Sequence, residues 1–133
     1  MVIVDTSVWS LALRRKQPAA GATAELARLI EVGEALIAGP IGQELLSGVA
    51  VAAQFELLRA RLEAFADLPI QRADYQSAAA CFNACRARGV QGSNTDYLIC
   101  ARALRLSLPV FSVDRDFGRY AGTLGVRLHT AAM

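Results

Sequence analysis

Two patterns of apolar residues alternate along the chain. Short runs without polar alternation cover residues 2–5 (VIVD), 35–40 (ALIAGP) and 109–114 (PVFSVD), and weaker ones cover 67–71 (DLPIQ) and 126–130 (VRLHT). Such runs, bounded by glycine, proline or aspartate, are typical of strands that are buried on both faces of a parallel sheet. Five strands are therefore predicted, with the first of them central.

Between these runs, apolar residues recur every three to four positions, as on one face of an α-helix. The predicted helices cover residues 7–16, 23–33, 41–49, 51–66, 73–89 and 95–108, and a short helix or turn covers 114–122. Thr6 or Ser7 is expected to cap the first helix, and Asn94 or Thr95 the sixth. This alternation predicts an α/β fold, in which a short, mostly parallel sheet carries helices on both faces within one domain, residues 1–133.

The composition agrees with a folded protein and leaves its partners open. Of the 133 residues, 54% are apolar and 20% are charged, which favours a single core over disorder. The net charge of +2 permits an anionic partner but does not require one. No run approaches the roughly 20 apolar residues of a membrane span, and the first apolar run is too short for a signal peptide. A cytoplasmic protein is therefore expected.

Three cysteines, Cys81, Cys85 and Cys100, are an odd number in a chain without an export signal. They are expected to be reduced and buried. Cys81 and Cys85 are spaced i, i+4 on a predicted helix, which leaves a metal pair as the less favoured alternative.

Acidic residues mark the ends of the predicted strands. Asp5 ends the first strand, and Asp114 ends the strand over residues 109–114. Glu44 lies in the helix after the second strand, and Asp96 lies in the first turn of a largely apolar helix. In an open α/β sheet, ligands bind at the carboxyl ends of the strands, so these side chains are candidates for one site.

Each of these acids alone has an ordinary structural explanation, as a helix cap or as a charge that suits the helix dipole. Four of them at strand–helix junctions favour a shared role. Clustered carboxylates repel one another unless they are protonated or hold a cation, and an all-oxygen site selects Mg²⁺ or Mn²⁺. Such ions activate water and stabilise charge on a phosphate. The single histidine, His129, is expected to be structural.

Other phosphate enzymes fit less well. A phosphatase of the haloacid dehalogenase type needs a second aspartate where Ser7 stands and a downstream lysine, whereas Lys16 is the only lysine. Neither a glycine-rich dinucleotide motif nor a P-loop occurs.

The sequence resembles the PIN domain family at these four acids. The similar stretches are MVIVDTSVW, GQELLSG around Glu44, SNTDYLICARA around Asp96 and VFSVDRDFGR around Asp114. Within the family, the chain is most similar to the VapC toxins of bacterial toxin–antitoxin pairs. The resemblance implies a PIN-like three-layer fold and a Mg²⁺- or Mn²⁺-dependent endoribonuclease.

By the family pattern, the catalytic and metal-binding quartet is Asp5, Glu44, Asp96 and Asp114. Thr6 and Ser112 match hydroxyl residues that support the first and last acids. Asp116 matches an additional acid that binds metal through water or caps the following helix. Among the arginines, Arg115 and Arg119 are the preferred phosphate contacts, and residues 14–16 (RRK) form either part of an RNA path or a solvated helix end.

The resemblance also implies a VapB-type antitoxin, an RNA substrate and a homodimer. Two apolar helix faces are candidate partner surfaces, or else parts of the core: Trp9 with Leu11 and Leu13, and Phe55 with Leu58. Two alternatives stay open. One is a PIN-like interaction domain without catalysis, and the other is a housekeeping nuclease of RNA processing.

Overall fold

The computed structural model describes residues 1–13 and 21–130. The strands are β1 (Val2–Val4), β2 (Ala35–Ala38), β3 (Ala66–Leu68) and β4 (Val110–Phe111). The helices are α1 (Thr6–Leu13), α2 (Ala22–Glu31), α3 (Gly39–Leu46), α4 (Ala52–Leu62), α5 (Arg72–Ala87), α6 (Asn94–Leu106) and α7 (Asp116–Leu124). The basic residues 14–16 lie outside the described residues.

The four strands form one parallel sheet in the order β3-β2-β1-β4. In the register of the central strand, Val2 is opposite Ala35 of β2, and Val4 is opposite Phe111 of β4. Every residue of β1 and β2 is buried, as their uninterrupted apolar sequences predict. The predicted α/β class and parallel sheet are confirmed.

The connections place helices on both faces of the sheet. From β1 the chain steps through β2 to β3 in one direction, and it then returns past β1 to β4. Because such crossovers are right-handed, α1–α4 and α5–α7 cover opposite faces. Accordingly, α1 packs against α2 and α3, whereas α5 packs along α6 and against α7. The order in which strands are added to the sheet reverses between β1 and β4. In open α/β sheets, ligands bind in the crevice beyond the carboxyl ends of the strands at such a reversal.

Three of the predicted strands differ from the structure. The segment 126–130 forms a single parallel bridge between Leu128 and Val110, so no full fifth strand is described there. The strand predicted over 109–114 ends at Phe111, three residues before Asp114. The loop that follows forms its own hydrogen bonds, such as the one from the N–H of Asp114 to the Ser112 hydroxyl. The third strand begins one residue earlier than predicted and ends before the proline, which cannot donate to a sheet.

The C-terminal bridge is held to α2 by the buried carboxylate of Glu25. Nε2 of His129 lies 2.5 Å from Oε2 of Glu25, and Arg28 binds the same carboxylate through two nitrogens. The carboxylate therefore has a cationic or polar partner on two sides, which compensates for the loss of water on burial. His129 thus has the structural role that the sequence analysis expected.

Trp9 belongs to the core and does not form a partner surface. Its side chain is 1% exposed, its Nε1 donates to the carbonyl of Val4 at 2.9 Å, and its ring lies 4.8 Å from that of Phe65. By contrast, α4 has no buried residue, and Phe55 and Leu57 are exposed. Trp9 is therefore excluded from the first candidate face, whereas Leu11 and Leu13 are half-buried and Phe55 of the second face is exposed.

The cysteines are buried and unpaired, as predicted. Within the part of the chain that the structure describes, no helix combines the length and the apolar character needed to cross a membrane.

Candidate active site

Asp5 follows β1 directly and is 4% exposed. Its Oδ2 accepts hydrogen bonds from the backbone N–H of Ser7 at 3.3 Å, from the Ser7 hydroxyl at 2.8 Å and from the Ser112 hydroxyl at 2.9 Å. Among the hydrogen bonds of the described residues, none reaches Oδ1. Three donors thus stabilise the buried charge on one oxygen and leave the other uncommitted.

The two serines also bind the loop that follows β4. The Ser7 hydroxyl accepts from the N–H of Val113 at 3.1 Å, and the Ser112 hydroxyl accepts from the N–H of Asp114 at 3.0 Å. Each hydroxyl therefore accepts from the loop and donates to Asp5. Because a hydroxyl has only one hydrogen to donate, the 3.2 Å approach of the two serine oxygens is a packing contact.

Asp114 is exposed in this loop and accepts hydrogen bonds from the first N–H groups of α7. Its Oδ1 accepts from the N–H of Asp116 at 2.9 Å, and its carbonyl accepts from the N–H of Phe117. The capping role that was expected of Asp116 therefore falls to Asp114. Asp116 is half-buried in the first turn, 3.9 Å from the guanidinium of Arg119. Arg115 and Arg119 are both exposed beside Asp114.

Glu44 lies on the exposed side of α3, and its Oε1 accepts from the Thr6 hydroxyl at 2.7 Å. Thr6 was expected to support the first acid, Asp5, but its hydroxyl serves Glu44. The reason is that α1 packs against α3, which brings the first residue of α1 to the middle of α3. The hydroxyl that supports Asp5 from α1 is that of Ser7 instead.

Asp96 is half-buried in the first turn of α6. Its N–H donates to Oγ of Ser93 at 3.1 Å, so Ser93 caps the helix and the predicted caps Asn94 and Thr95 do not. Its Oδ2 accepts from the hydroxyl of Tyr120 at 2.8 Å.

The charge of Asp96 is disfavoured by its surroundings. Burial raises the pKa of Asp96 to about 6, although the hydrogen bond from Tyr120 acts in the opposite direction. The negative charges of Asp5, Asp114 and Glu44 raise it further. The other three predicted acids therefore lie near enough to Asp96 to act on it electrostatically.

The chemistry of this donor set fits a hard divalent cation. In each of the four acids, one carboxylate oxygen accepts a hydrogen bond from the protein, and no described hydrogen bond reaches the other oxygen. The acids and their donors are Asp5 with Ser112, Glu44 with Thr6, Asp96 with Tyr120, and Asp114 with Asp116. Oxygen ligands of this kind suit Mg²⁺ and Mn²⁺. Among the described residues, however, no three acidic, histidine or cysteine side chains are already assembled closely enough to hold an ion.

The comparison with known proteins agrees with this architecture. Residues 2–123 match the PIN domain. The chain belongs to the PIN domain family. No curated protein matches it in sequence.

Solved structures share the fold of this PIN domain at low sequence identity. FitAcB from Neisseria gonorrhoeae has a TM-score of 0.77 and 24% identity, over 98% of this chain and 97% of the other. VapBC2 from Rickettsia felis, bound to a DNA fragment from its promoter, has a TM-score of 0.76 and 15% identity, over 99% of this chain and 100% of the other. VapC20 from Mycobacterium tuberculosis, a toxin that cleaves the sarcin–ricin loop, has a TM-score of 0.71 and 18% identity, over 96% of this chain and 99% of the other.

Sequence reasoning missed two side chains that contact the acids of the PIN domain. Ser7 had a local signal, since a hydroxyl two residues after an aspartate commonly closes a turn on that carboxylate. Tyr120 had no signal beyond its position three residues after Phe117, which predicts a shared buried face. Its contact with Asp96 joins α7 to α6 and depends on the tertiary structure.

Proposed function

We propose that this PIN domain is an endoribonuclease that depends on Mg²⁺ or Mn²⁺ and that it is the toxin of a VapBC-type toxin–antitoxin pair. The observation that carries the proposal is the mutual influence of the four acids Asp5, Glu44, Asp96 and Asp114: burial raises the pKa of Asp96 to about 6, and the negative charges of the other three raise it further. Folding has to overcome this repulsion, and a bound cation would relieve it.

When bound, a divalent cation would lower the pKa of a coordinated water and stabilise negative charge on the phosphate that is attacked. The protein's part is to hold the ligands. Asp5 cannot turn without breaking three hydrogen bonds, and the same two serines fix the loop that carries Asp114. Glu44 and Asp114 are exposed, and one described hydrogen bond holds each of their carboxylates. The buried part of the site is thus rigid and the exposed part can adjust to substrate.

RNA would approach this crevice as a polyanion, which the four acids repel. Arg115 directly follows Asp114, and Arg119 lies one turn further along α7; both are exposed. Arginine suits phosphate because its planar guanidinium forms bidentate hydrogen bonds. We assign these two residues to the RNA backbone on both sides of the cleaved bond.

The proposed antitoxin surface is α4. This helix buries none of its residues, and its exposed Leu57 and half-buried Leu58 border a groove of about 520 Å³ that Leu13 and Val49 complete. The solved structures with this fold include a toxin–antitoxin complex from Klebsiella pneumoniae and a DNA-bound VapBC from Salmonella typhimurium. An amphipathic segment of a VapB-type protein would cover the groove. The homodimer expected from the family remains a proposal without an assigned surface.

The experiment that tests the activity uses the full chain, freed of any copurified partner. The protein is incubated with total transfer RNA and ribosomal RNA in Mg²⁺, in Mn²⁺ and in EDTA. We expect discrete fragments that disappear in EDTA and in the variants Asp5→Asn and Asp96→Asn. Asp67→Asn is the matched control, because Asp67 is an exposed acid on the edge strand β3.

Other outcomes separate the alternatives. Absence of cleavage, together with absence of Mn²⁺ binding by calorimetry, would overturn the nuclease and support the interaction domain. Cleavage by a protein whose expression leaves growth unaffected would support a nuclease of RNA processing over a toxin.

A further inference from the structure

The third acid of the proposed site is held by a tyrosine from another helix. The hydroxyl of Tyr120 on α7 donates to Oδ2 of Asp96 on α6 at 2.8 Å. Tyr120 is fully buried, and so its hydroxyl is removed from water. Burial, the hydrogen bond to Asp96 and the charge of this carboxylate all raise the pKa of Tyr120, so the phenol keeps its proton and is the donor in this hydrogen bond.

The ring of Tyr120 is closely confined. The rings of Tyr97 and Phe117 lie 5.3 Å and 5.2 Å from it. On a third side is Gly92, in the loop before α6. A Cβ at Gly92 would lie 2.4 Å from the hydroxyl oxygen of Tyr120 and 2.7 Å from a ring carbon, well inside van der Waals contact. The ring therefore fits only because residue 92 has no side chain.

We propose that Tyr120 is a positioning residue for Asp96, and that a glycine at position 92 is required for the Tyr120 ring to fit. The inference rests on the proposed metal-dependent activity. Tyr120 holds Oδ2 of Asp96 from the protein side and leaves Oδ1 for a divalent cation. Its hydrogen bond fixes the orientation of the carboxylate.

The alternative is that Tyr120 is an ordinary core residue whose hydroxyl merely needs a partner. The two roles differ in what the hydroxyl controls. A core role affects only the stability of the fold, whereas a positioning role affects cation binding at unchanged stability. Phenylalanine keeps the ring and its packing, so Tyr120→Phe separates the two.

The experiment measures Mn²⁺ binding by calorimetry and RNA cleavage over a range of Mn²⁺ concentrations, with the full chain. For Tyr120→Phe we expect Mn²⁺ affinity to fall about 10- to 100-fold, as is usual when a partner of a metal ligand is removed. Saturating Mn²⁺ should restore most of kcat, and KM for RNA should stay unchanged. Tyr97→Phe is the matched control, since it removes another buried hydroxyl of the same cluster, one that lies 3.5 Å from the carbonyl of Val90.

Gly92→Ala tests the same relationship from the other side of the ring. Introduced into the wild type, it should weaken Mn²⁺ binding. Introduced into Tyr120→Phe, it should lower the Mn²⁺ affinity by less than about twofold more, because both changes act through one contact. Thermal unfolding of each variant reports any loss of the fold.

The outcomes are distinguishable. A wild type that binds Mn²⁺, with a Tyr120→Phe variant that binds it equally well, would overturn the positioning role alone. Equal losses in Tyr120→Phe and Tyr97→Phe would also overturn it and indicate a structural role. A wild type that neither binds Mn²⁺ nor cleaves RNA would overturn the proposed function together with this inference.

Discussion

Ser112 and Asp5 lie 107 residues apart in the sequence, and the hydroxyl of Ser112 donates to Oδ2 of Asp5 at 2.9 Å. The same hydroxyl accepts the N–H of Asp114. One side chain therefore joins the carboxylate that ends β1 to the loop that carries the last acid. The two strands are neighbours in the sheet, so this small bridge closes the crevice at the point where the order of strands reverses.

Replacing Ser112 by alanine should disturb both acids together. Asp5 loses one of its three donors, and the N–H of Asp114 loses its acceptor. We expect Ser112→Ala to lower Mn²⁺ affinity and RNA cleavage by about 10- to 100-fold, the usual effect of removing a partner of a metal ligand. Calorimetry and a cleavage assay measure the two quantities.

Ser112→Thr is the control, since it keeps a hydroxyl at the same position and should retain most of the affinity. If alanine and threonine at this position behaved alike, the bridge would have no role in the site.

Asp96→Asn should stabilise the protein while it abolishes activity. The pKa of Asp96 is raised to about 6 mainly by burial, so the folded state takes up a proton more readily than the unfolded state. The ionised carboxylate therefore costs stability above pH 6, and this cost disappears as the pH falls through about 6 towards 4. The neutral amide avoids the cost. Since a tenfold change in proton affinity is worth about 1.4 kcal/mol and solvent screens part of it, we expect a gain of about 1–2 kcal/mol at pH 8.

Urea unfolding of the wild type and of Asp96→Asn at pH 8 and pH 5 measures this difference. It should be clearly smaller at pH 5. A variant that is less stable than the wild type at pH 8 would mean that the charge of Asp96 is favourable in the fold, contrary to the repulsion described above.

The positions of the acids could be predicted from the sequence because each lies at the end of a local element. Asp5 follows an apolar strand, and Asp96 lies in the first turn of an apolar helix, so their places in an α/β sheet follow from strand and helix patterns. The partners of these acids could not be predicted in the same way. Thr6 binds Glu44 because α1 packs on α3, and Tyr120 binds Asp96 because α7 reaches α6; both depend on tertiary packing.

The same limit explains why the role of α4 stayed open in the sequence and why a strand length was wrong. The apolar residues of α4, such as Phe55, indicate a helix face, but periodicity does not indicate what covers that face. Leu128 lies in a β-type sequence, yet only one residue of it pairs, because the neighbouring strand β4 is itself two residues long. Strand length in a sheet depends on the partner strand as well as on local preference.

Glu25 should give the protein part of its resistance to acid. The pKa of Glu25 is lowered to about 2, chiefly by hydrogen bonds from Arg28 and also by its contact with His129. A lowered carboxyl pKa stabilises the fold above the unfolded pKa of 4.5, and this contribution is lost as the pH falls from about 4.5 towards 2. Glu25→Gln should cost about 1–3 kcal/mol at pH 7, as for other hydrogen bonds to buried charges.

Chemical unfolding between pH 7 and pH 2.5 tests this assignment. The stability of Glu25→Gln should depend less on pH in the acid range than that of the wild type. Glu31→Gln is the control, because Glu31 is exposed on the same helix, and it should follow the wild type. Parallel curves for the wild type and Glu25→Gln would assign the acid sensitivity to another carboxylate.

Arg115 should bind RNA through phosphate, without regard to base. It is exposed directly after Asp114, at the start of α7, where a phosphate in the crevice lies within its reach. Loss of one phosphate contact to a single strand lowers the slope of log affinity against log salt by about 0.7. In the Asp96→Asn background, which prevents cleavage, Arg115→Ala should reduce the slope by about this amount and weaken binding equally for RNAs of different sequence.

Arg127→Ala removes the same charge beside Val110 at the amino end of β4, the end opposite to the one that leads to Asp114, and should leave the slope unchanged. Fluorescence anisotropy between 50 and 300 mM salt, on the order of the range over which such contacts are screened, measures both variants. An Arg115→Ala variant that weakens binding to one sequence only would mean that the guanidinium contacts a base edge. The residue would then determine the choice of substrate, and the phosphate contacts near the acids would have to come from Arg119 and other arginines.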